Sequence, residues 1–420
     1  MRIGIISTAF PNDLEKSVFG LHQRFGMFVQ AMKQLGTLEL LFFVPPGVPT
    51  DERCAASSAR RLARHWSADL RIELCPLASF VPKRGFWHEY VSPALSIIND
   101  LPYAQTSRRE QVNAVERLLA SKPDLIFVHR LHCMVPLLLS KTRHPSIHFD
   151  MDDVEHIALM RSIRQPPSWR GKRLQYLRVP TLRRWERRAV RVSRRTYVCS
   201  EHDRQVLADA YGGRNVVVVP NAVNLPKEQA LLETRVLLFL GRMSYQPNAV
   251  SADYLIRKIW PTIRSAVPDA RLVIAGERPE RIESFPQKPE GVDFLGFVSN
   301  LDELYKRVMV VCCPIVSGGG TRVKILEAAA YGKPVVSTTM GAEGLDLRPG
   351  QEILLGDDPE SFAQACIRLL RDGALGARLG QNARVAVSRL YDRHRTVNRI
   401  KSQLDPAHSA LSVDEGVVSA

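Results

Sequence analysis

The chain has 420 residues, of which 45% are hydrophobic and 24% charged. This is enough for two or three packed domains and excludes large-scale disorder. The start, MRIGIIST, is too short an apolar run for a signal peptide, and no stretch reaches the length of a membrane span. We therefore expect a cytoplasmic protein, and the net charge of +15 adds peripheral attachment to the inner face of the membrane as a hypothesis. The seven cysteines show no metal-ligand spacing and predict reduced, buried thiols.

The first half of the chain alternates apolar runs with helical patterns. A helix predicted from Leu21 to Leu35 ends at Gly36, where a glycine can take the left-handed conformation. Further helices are predicted over 112–120 and 181–192. Strands are predicted over residues 3–6, 38–44, 70–74, 125–128, 146–149, 195–199 and 216–219.

A polar break over residues 220–233 precedes a second alternation of the same kind. Helices are predicted over 249–263 and 301–306, and a further predicted helix ends at Tyr331. Strands are predicted over residues 236–240, 271–275, 292–295, 309–313 and 334–337. Continuous apolar strands alternating with helices favour parallel sheets covered on both faces. The expected fold is α/β, with two doubly wound Rossmann-like domains that face each other across a cleft.

The stretch SGGGTRVKILE, residues 317–327, follows the predicted strand that ends at Cys313. Three glycines allow positive φ and a close approach to a ligand, and the first amides of the following helix suit a phosphate or diphosphate. Glu327 stands where a carboxylate could accept hydrogen bonds from a ribose. The alternative is an ordinary turn, with Lys324 and Glu327 as an exposed pair. Arg242, after the strand at 236–240, could contact the same phosphates.

These residues resemble a known family. Gly241-Arg242, Ala275-Gly276, Phe294-Leu295-Gly296 and, above all, residues 317–337 look like the carboxy-terminal half of retaining GT-B glycosyltransferases of group 1, sequence family 4, in their GGGTR-containing subgroup. In the amino-terminal half, residues 123–129 resemble the strand that ends in the family's active-site histidine. The resemblance extends over about residues 1–400.

The resemblance implies a role for each matching residue. His129 would lie near the transferred sugar, Arg242 would stabilise the leaving diphosphate, and Glu327 would bind the ribose as the third residue of a catalytic set. Donor binding would involve the glycine loop of the first domain, the strand ends and the turn, namely Gly20, Gly241, Gly276, Gly296, Gly319, Gly320, Thr321, Arg322 and Lys324. The sequence departs from the family at Gly319, where a glutamate is frequent, and at residues 245–248, where many members carry a lysine.

The sequence also predicts a domain plan. We expect an acceptor-binding domain over residues 1–222, a nucleotide-sugar domain over 234–392, a helix near 393–405 that packs back on the first domain, and a loose tail at 406–420. Apart from the strand at 70–74, residues 45–110 and 153–180 are expected to be loops that set specificity.

The expected activity is retaining transfer of a hexose-type sugar from a UDP- or GDP-sugar to a polysaccharide precursor or lipid-linked acceptor. Neither a metal nor a cofactor is expected, since the nucleotide sugar is a substrate. Two alternatives remain open: a nucleotide-sugar epimerase of similar fold, and a non-catalytic protein that binds anionic lipid or nucleic acid.

Two further features carry weaker signals. Asp150-Met151-Asp152-Asp153 contains a DxD, a metal-binding signature of a different glycosyltransferase fold, but lacks further ligands; a loop or acceptor-side role is favoured. His132, His148 and His156 form no metal-ligand spacing and are expected to be satisfied polar groups.

Residues 161–195 contain thirteen lysines and arginines and one acid, Glu186. Leu182, Trp185, Ala189 and Val192 predict one apolar stripe on a helix there. The outer face could be simply solvated or could contact an anionic membrane; nucleic acid is not expected, because no recognition motif is present.

Overall fold

A computed structural model gives the fold of the chain. It describes residues 1–14, 20–78, 90–96, 103–165, 168–213, 215–227, 234–318 and 320–405. Contacts divide the chain into two compact units. Unit 1 comprises Met1–Ser17, Leu21–Pro220 and Thr396–Ala420, and unit 2 comprises Val18–Gly20 and Asn221–Arg395. The predicted tail at 406–420 lies outside the described residues.

Unit 1 is built on a parallel sheet that contains every strand predicted for the first half of the chain. The strands are β1 Arg2–Ser7, β2 Thr37–Val44, β3 Leu70–Pro76, β4 Leu125–His129, β5 Ser146–Asp152, β6 Arg195–Val198 and β7 Val216–Val218. Over the described residues their order is β3-β2-β1-β4-β5-β6-β7. Strands such as β4, which is buried along its whole length, are apolar because helices cover both faces of the sheet.

The helices of unit 1 include several in segments that were expected to be loops. They are α1 Gly20–Met32, α2 Glu52–Trp66, α3 Ser92–Leu95, α4 Arg109–Ala120, α5 Leu131–Leu139, α6 Glu155–Arg164, α7 Val179–Val192 and α8 Glu201–Tyr211, with a 3-10 helix at Lys172–Arg178. The expectation of loops over 45–110 and 153–180 is therefore wrong for α2, α3, α6 and the 3-10 helix. Asp51 caps α2 by accepting from the amides of Arg53 and Cys54, each at 3.0 Å.

The end of α1 also differs from the prediction. The helix stops at Met32, and Gly36 does not have a positive φ. A Cβ at Gly36 would instead lie 1.7 Å from the carbonyl oxygen of Met1. Glycine is required there because the backbone passes directly against the beginning of β1, so the predicted left-handed terminus is wrong.

Unit 2 contains a second parallel sheet, again with each predicted strand. Its strands are β8 Val236–Leu240, β9 Arg271–Ala275, β10 Val292–Gly296, β11 Val310–Cys313, β12 Val335–Ser337 and β13 Leu354–Leu355. In the described part of the chain they are ordered β10-β9-β8-β11-β12-β13. This order reverses between β8 and β11, and ligands of such sheets bind beyond the carboxyl ends of the strands at that point.

Helices cover both faces of the second sheet. They are α9 Gln246–Tyr254, α10 Trp260–Ala266, α11 Leu301–Lys306, α12 Val323–Ala330, α13 Thr339–Ala342, α14 Pro359–Arg371 and α15 Gly373–Leu390; α16 is Arg393–Leu404. A π-helical turn, Leu255–Ile259, joins α9 to α10, and 3-10 turns lie at Pro279–Arg281 and Phe285–Gln287. One apolar core contains Trp260 and Phe362, and another contains Ile325 and Val387. The predicted α/β class with two doubly wound parallel sheets is confirmed.

All seven cysteines lie in the described part of the chain and are free thiols. Six are buried, as predicted, whereas Cys54 on α2 is half-buried. No helix among the described residues is long and apolar enough to cross a membrane.

Candidate functional site

The carboxyl ends of three strands in unit 2 are joined by backbone hydrogen bonds. The Gly241 amide, just after β8, donates to the Ala275 carbonyl at 2.9 Å, and the Gly276 amide donates to the Gly296 carbonyl at 2.6 Å. A Cβ at Gly276 would lie only 1.9 Å from the Gly241 carbonyl oxygen. The glycine at 276 is therefore required for the two strand ends to approach, and the predicted residues Gly241, Gly276 and Gly296 come together.

The turn between β11 and α12 lies beside the end of β8. Gly320 has φ of +71°, a left-handed conformation that favours glycine, and Gly319 lies outside the described residues. Arg322 folds back so that its guanidinium donates to the Gly320 carbonyl at 2.5 Å. Thr321 Oγ1 accepts a 2.7 Å hydrogen bond from Asn221 Nδ2. Two side chains thus hold this turn in place, and α12 begins at Val323 immediately after it.

Lys324 is not part of an exposed pair on the helix surface. Its Nζ lies 4.5 Å from the centroid of the Phe239 ring and donates to Asn248 Oδ1 at 3.0 Å. Asn248 Nδ2 in turn donates to the Arg242 carbonyl at 3.0 Å. Burial lowers the pKa of Lys324 to about 8. The alternative of an exposed Lys324–Glu327 pair is therefore wrong.

Arg242 and Glu327 border the same end of the sheet. Arg242 follows β8, is half-buried, and has its pKa lowered by burial, which Glu277 opposes. Glu327 is half-buried one turn beyond Lys324 on α12. Glycine turns, a helix amino terminus and cations thus lie together at the carboxyl ends of β8 and β11. Such an arrangement can hold an anion.

His129 of unit 1 is the last residue of β4 and is fully buried. Its Nδ1 lies 3.0 Å from Ser7 Oγ, and its Nε2 lies 3.8 Å from Asp150 Oδ2. Burial, assisted by the nearby positive charges of Arg130 and Arg24, lowers the pKa of His129 well below its ordinary value. The ring is therefore neutral at physiological pH. Gly20, which is also predicted to bind the donor, is the first residue of α1.

The DxD segment is structural at its first position. Asp150 lies inside β5, fully buried, and accepts from Arg24 Nε at 2.9 Å and Arg24 Nη2 at 2.5 Å. Burial raises the pKa of Asp150, and the two bonds from Arg24 favour its charged form. The expected loop position is therefore wrong for Asp150, whereas the acceptor-side role stays a prediction. The described residues contain no group of three or more His, Cys, Asp or Glu side chains placed to hold a metal.

The other histidines have partners, as predicted. His132 Nε2 lies 2.8 Å from Thr8 Oγ1, and His148 Nδ1 lies 2.8 Å from Tyr197 Oη. His156 Nδ1 lies 2.6 Å from Glu186 Oε2. Glu186, the single acid of the basic segment, is therefore buried and paired.

Sequence reasoning missed Arg24 and Asn248. Arg24 is a charged residue among the apolar positions of α1, next to Phe25 and one turn before Phe28, and that contrast was the available signal. Residues 245–248 stood out only as a departure from the family, and the contact of Asn248 with Lys324 could not be predicted because it joins residues 76 positions apart.

The two sheets and the site in unit 2 define a protein of the GT-B glycosyltransferase fold. Residues 53–227 match the family model "Glycosyltransferase Family 4", and residues 234–372 match the model "Glycosyl transferases group 1". Each of the two stretches thus matches a glycosyltransferase family model.

Solved structures share this fold over nearly the whole chain. Sucrose-phosphate synthase from Thermosynechococcus elongatus has 17% identity and a TM-score of 0.71, covering 98% of this chain and 100% of that one. Anabaena HepE in complex with UDP-glucose has 14% identity and a TM-score of 0.64, covering 96% and 99%. At these identities the likeness concerns the fold.

Curated relatives match over shorter stretches. A phosphatidyl-myo-inositol mannosyltransferase from Mycobacterium leprae is 27% identical over 195 residues, which are 43% of this chain and 50% of the relative. An uncharacterized protein in the cps region of Klebsiella pneumoniae is 23% identical over 172 residues, 39% of this chain and 44% of the relative. The chain thus spans about half the length of these curated relatives.

Proposed function

We propose that the protein transfers a hexose-type sugar from a UDP- or GDP-sugar to a polysaccharide precursor or lipid-linked acceptor, with retention of anomeric configuration. The observation that carries the proposal is that Gly241-Arg242, the Gly320–Arg322 turn and Lys324 lie together at the carboxyl ends of β8 and β11. Further support comes from HepE, whose solved complexes contain UDP-glucose, and from the mannosyltransferase relative.

The difficult step in such a transfer is departure of the nucleoside diphosphate. The bond from the anomeric carbon to the diphosphate oxygen breaks, and negative charge grows on the phosphates while the sugar becomes oxocarbenium-like. Arg242, Lys324 and the first amides of α12 would stabilise that charge, and Glu327 would accept hydrogen bonds from the ribose. Loss of one preorganised donor of this kind typically costs on the order of 10²–10³ in rate. We propose that no metal is required; full activity after chelation by EDTA would support this.

The role of His129 is a separate proposal. His129 is proposed to contact the transferred sugar as a neutral imidazole, one nitrogen of which is oriented by Ser7. A neutral ring offers one donor and one acceptor, which suits sugar hydroxyl groups.

A thermal-shift panel of nucleoside diphosphates and nucleotide sugars, followed by NMR of the best donor, tests the function. Stabilisation by UDP or GDP with slow release of free sugar is expected. Stereochemical change of the donor without an acceptor would instead identify an epimerase. No response to any nucleotide would overturn the proposal in favour of a non-catalytic binding protein.

We also propose that α7 and its neighbourhood contact an anionic membrane surface. The exposed residues of α7 include five arginines: Arg183, Arg184, Arg187, Arg188 and Arg191. Val192, predicted to be in the buried stripe, is instead 38% exposed, and Trp169 is 44% exposed. Basic side chains interspersed with exposed apolar ones are typical of surfaces that lie on lipid headgroups.

A further inference from the structure

Lys324 reaches the end of β8 from a helix that follows β11. The residue is half-buried, and its amine lies over the ring of Phe239 in β8. A Cβ built on Gly241 would lie 2.8 Å from Lys324 Nζ, so the absence of a side chain at Gly241 makes room for the amine. The amine thus lies directly over the turn that bears Arg242.

Asn248 fixes the position of this amine. Its Oδ1 accepts from Lys324 Nζ at 3.0 Å, while its Nδ2 donates to the Arg242 carbonyl at 3.0 Å. Both halves of the amide are therefore used, and this determines its orientation. Asn248 connects the backbone of one cationic residue to the side chain of the other.

The hydrogen-bonding capacity of the amine completes the argument. An ammonium group has three N–H donors. Asn248 accepts one of them, and the face of Phe239 at 4.5 Å takes a second through a cation–π contact. Among the described residues, these contacts leave one N–H for a ligand at the carboxyl ends of β8 and β11.

We infer that Asn248 is a positioning residue, which holds the amine of Lys324, one of the proposed diphosphate cations, beside Arg242. The inference rests on the proposed function and deepens it, because it assigns the placement of one of these cations to a residue outside the predicted donor site. The ligand chemistry is a diphosphate ester.

Calorimetric titration of the full chain with UDP and UMP, and with GDP and GMP, tests the inference. The variants are Lys324→Met, Asn248→Ala and the double variant Asn248→Lys/Lys324→Met, which supplies the amine from the other side of the contact. Lys258→Met removes an exposed lysine of unit 2 and serves as the matched control. Thermal unfolding of each variant checks that it folds.

Lys324→Met should weaken diphosphate binding on the order of 10- to 100-fold and change monophosphate binding less than about threefold. Asn248→Ala should weaken diphosphate binding by a smaller factor, about 3- to 10-fold, because the amine remains but is no longer held. The double variant should recover most of the loss, and the control should match the original protein.

No loss of diphosphate affinity in Asn248→Ala, or a loss of the same size for the monophosphate, would overturn the inference while leaving the proposed function standing. Failure of the double variant to regain affinity, although folded, would count against Asn248 and Lys324 sharing one amine position. If the unaltered protein binds none of the four nucleotides, the proposed function itself fails.

Discussion

Arg24 and Asp150 form an ion pair in which both side chains are fully buried, with Arg24 Nη2 at 2.5 Å from Asp150 Oδ1. Arg24 also donates to the Val219 carbonyl at 2.8 Å, so one guanidinium connects α1, β5 and the residue after β7. Removing one partner leaves a charge buried without its counterion, which is far more costly than losing an exposed pair.

Asp150→Asn should therefore destabilise the protein by about 3–5 kcal/mol. Urea denaturation followed by circular dichroism measures this loss. Asp152→Asn is the control, since its ion-pair distances to Arg24 and Arg130 are both 3.7 Å and its side chain is partly exposed. A metal role for the DxD would be indicated instead if Asp150→Asn kept full stability and lost activity that Mn²⁺ restored.

Glu327→Gln should weaken UDP or GDP binding on the order of 10- to 100-fold, because a charge-assisted hydrogen bond to the ribose becomes a neutral one. Binding of inorganic pyrophosphate should not change, since it lacks a ribose. Calorimetry of both ligands makes the comparison, with Glu303→Gln on α11 as an exposed control. Parallel losses for pyrophosphate and nucleotide would place Glu327 outside the ribose site.

Diphosphate binding should weaken as pH rises from 7 to 9. The pKa of Lys324 is lowered to about 8, so its amine is mostly charged at pH 7 and mostly neutral at pH 9. Burial has the largest effect on this pKa; of the titratable groups around the amine, Arg322 lowers it, and Cys313 and Glu327 raise it. The terminal phosphate is already ionised in this range, since its second pKa is about 6.

The expected loss between pH 7 and pH 9 is at most roughly tenfold, following the charged fraction of the amine. Lys324→Met should remove this component of the pH profile while leaving any other pH dependence in place. A profile of the same slope in the variant would assign the titration to another group.

The protein should sediment with vesicles that contain anionic lipid and not with neutral ones. Replacing Arg184, Arg187 and Arg191 by Gln should lower the partition coefficient on the order of 100-fold, at about 1 kcal/mol for each basic residue. The control replaces Lys258, Arg281 and Lys288, three exposed cations of unit 2, by Gln and so makes the same change in net charge. Equal losses in both triple variants would indicate a general charge effect and remove the proposed role of α7.

The sheets of both units could be predicted because their strands are buried on both faces. β4 leaves no position facing solvent, so it is apolar up to its last residue, His129, and stands out from the amphipathic helices. Helix α2 was missed because only Leu62 and Trp66 of its fifteen residues are buried. A helix with so few buried apolar positions is difficult to distinguish from a polar loop in the sequence.

The site was predictable where its chemistry follows the chain locally. The turn before α12 and the Gly241-Arg242 pair each combine a strand end with glycine, a pattern visible in the sequence. The contacts that decide the electrostatics are not local: Lys324 with Asn248 and Arg24 with Asp150 are separated by 76 and 126 residues. Tertiary packing determines these pairs.

The environment of Lys324 also favours covalent modification of its amine. An ordinary lysine, with a pKa near 10.4, is neutral in fewer than about one molecule in a thousand at pH 7, whereas a pKa of about 8 leaves roughly one in ten as the free, nucleophilic amine. A nucleoside analogue that bears an acylating or sulfonylating group in place of the diphosphate would therefore modify Lys324 in preference to the exposed lysines. We expect Lys324 to serve in this way as the attachment point for a nucleotide-directed probe that does not depend on activity.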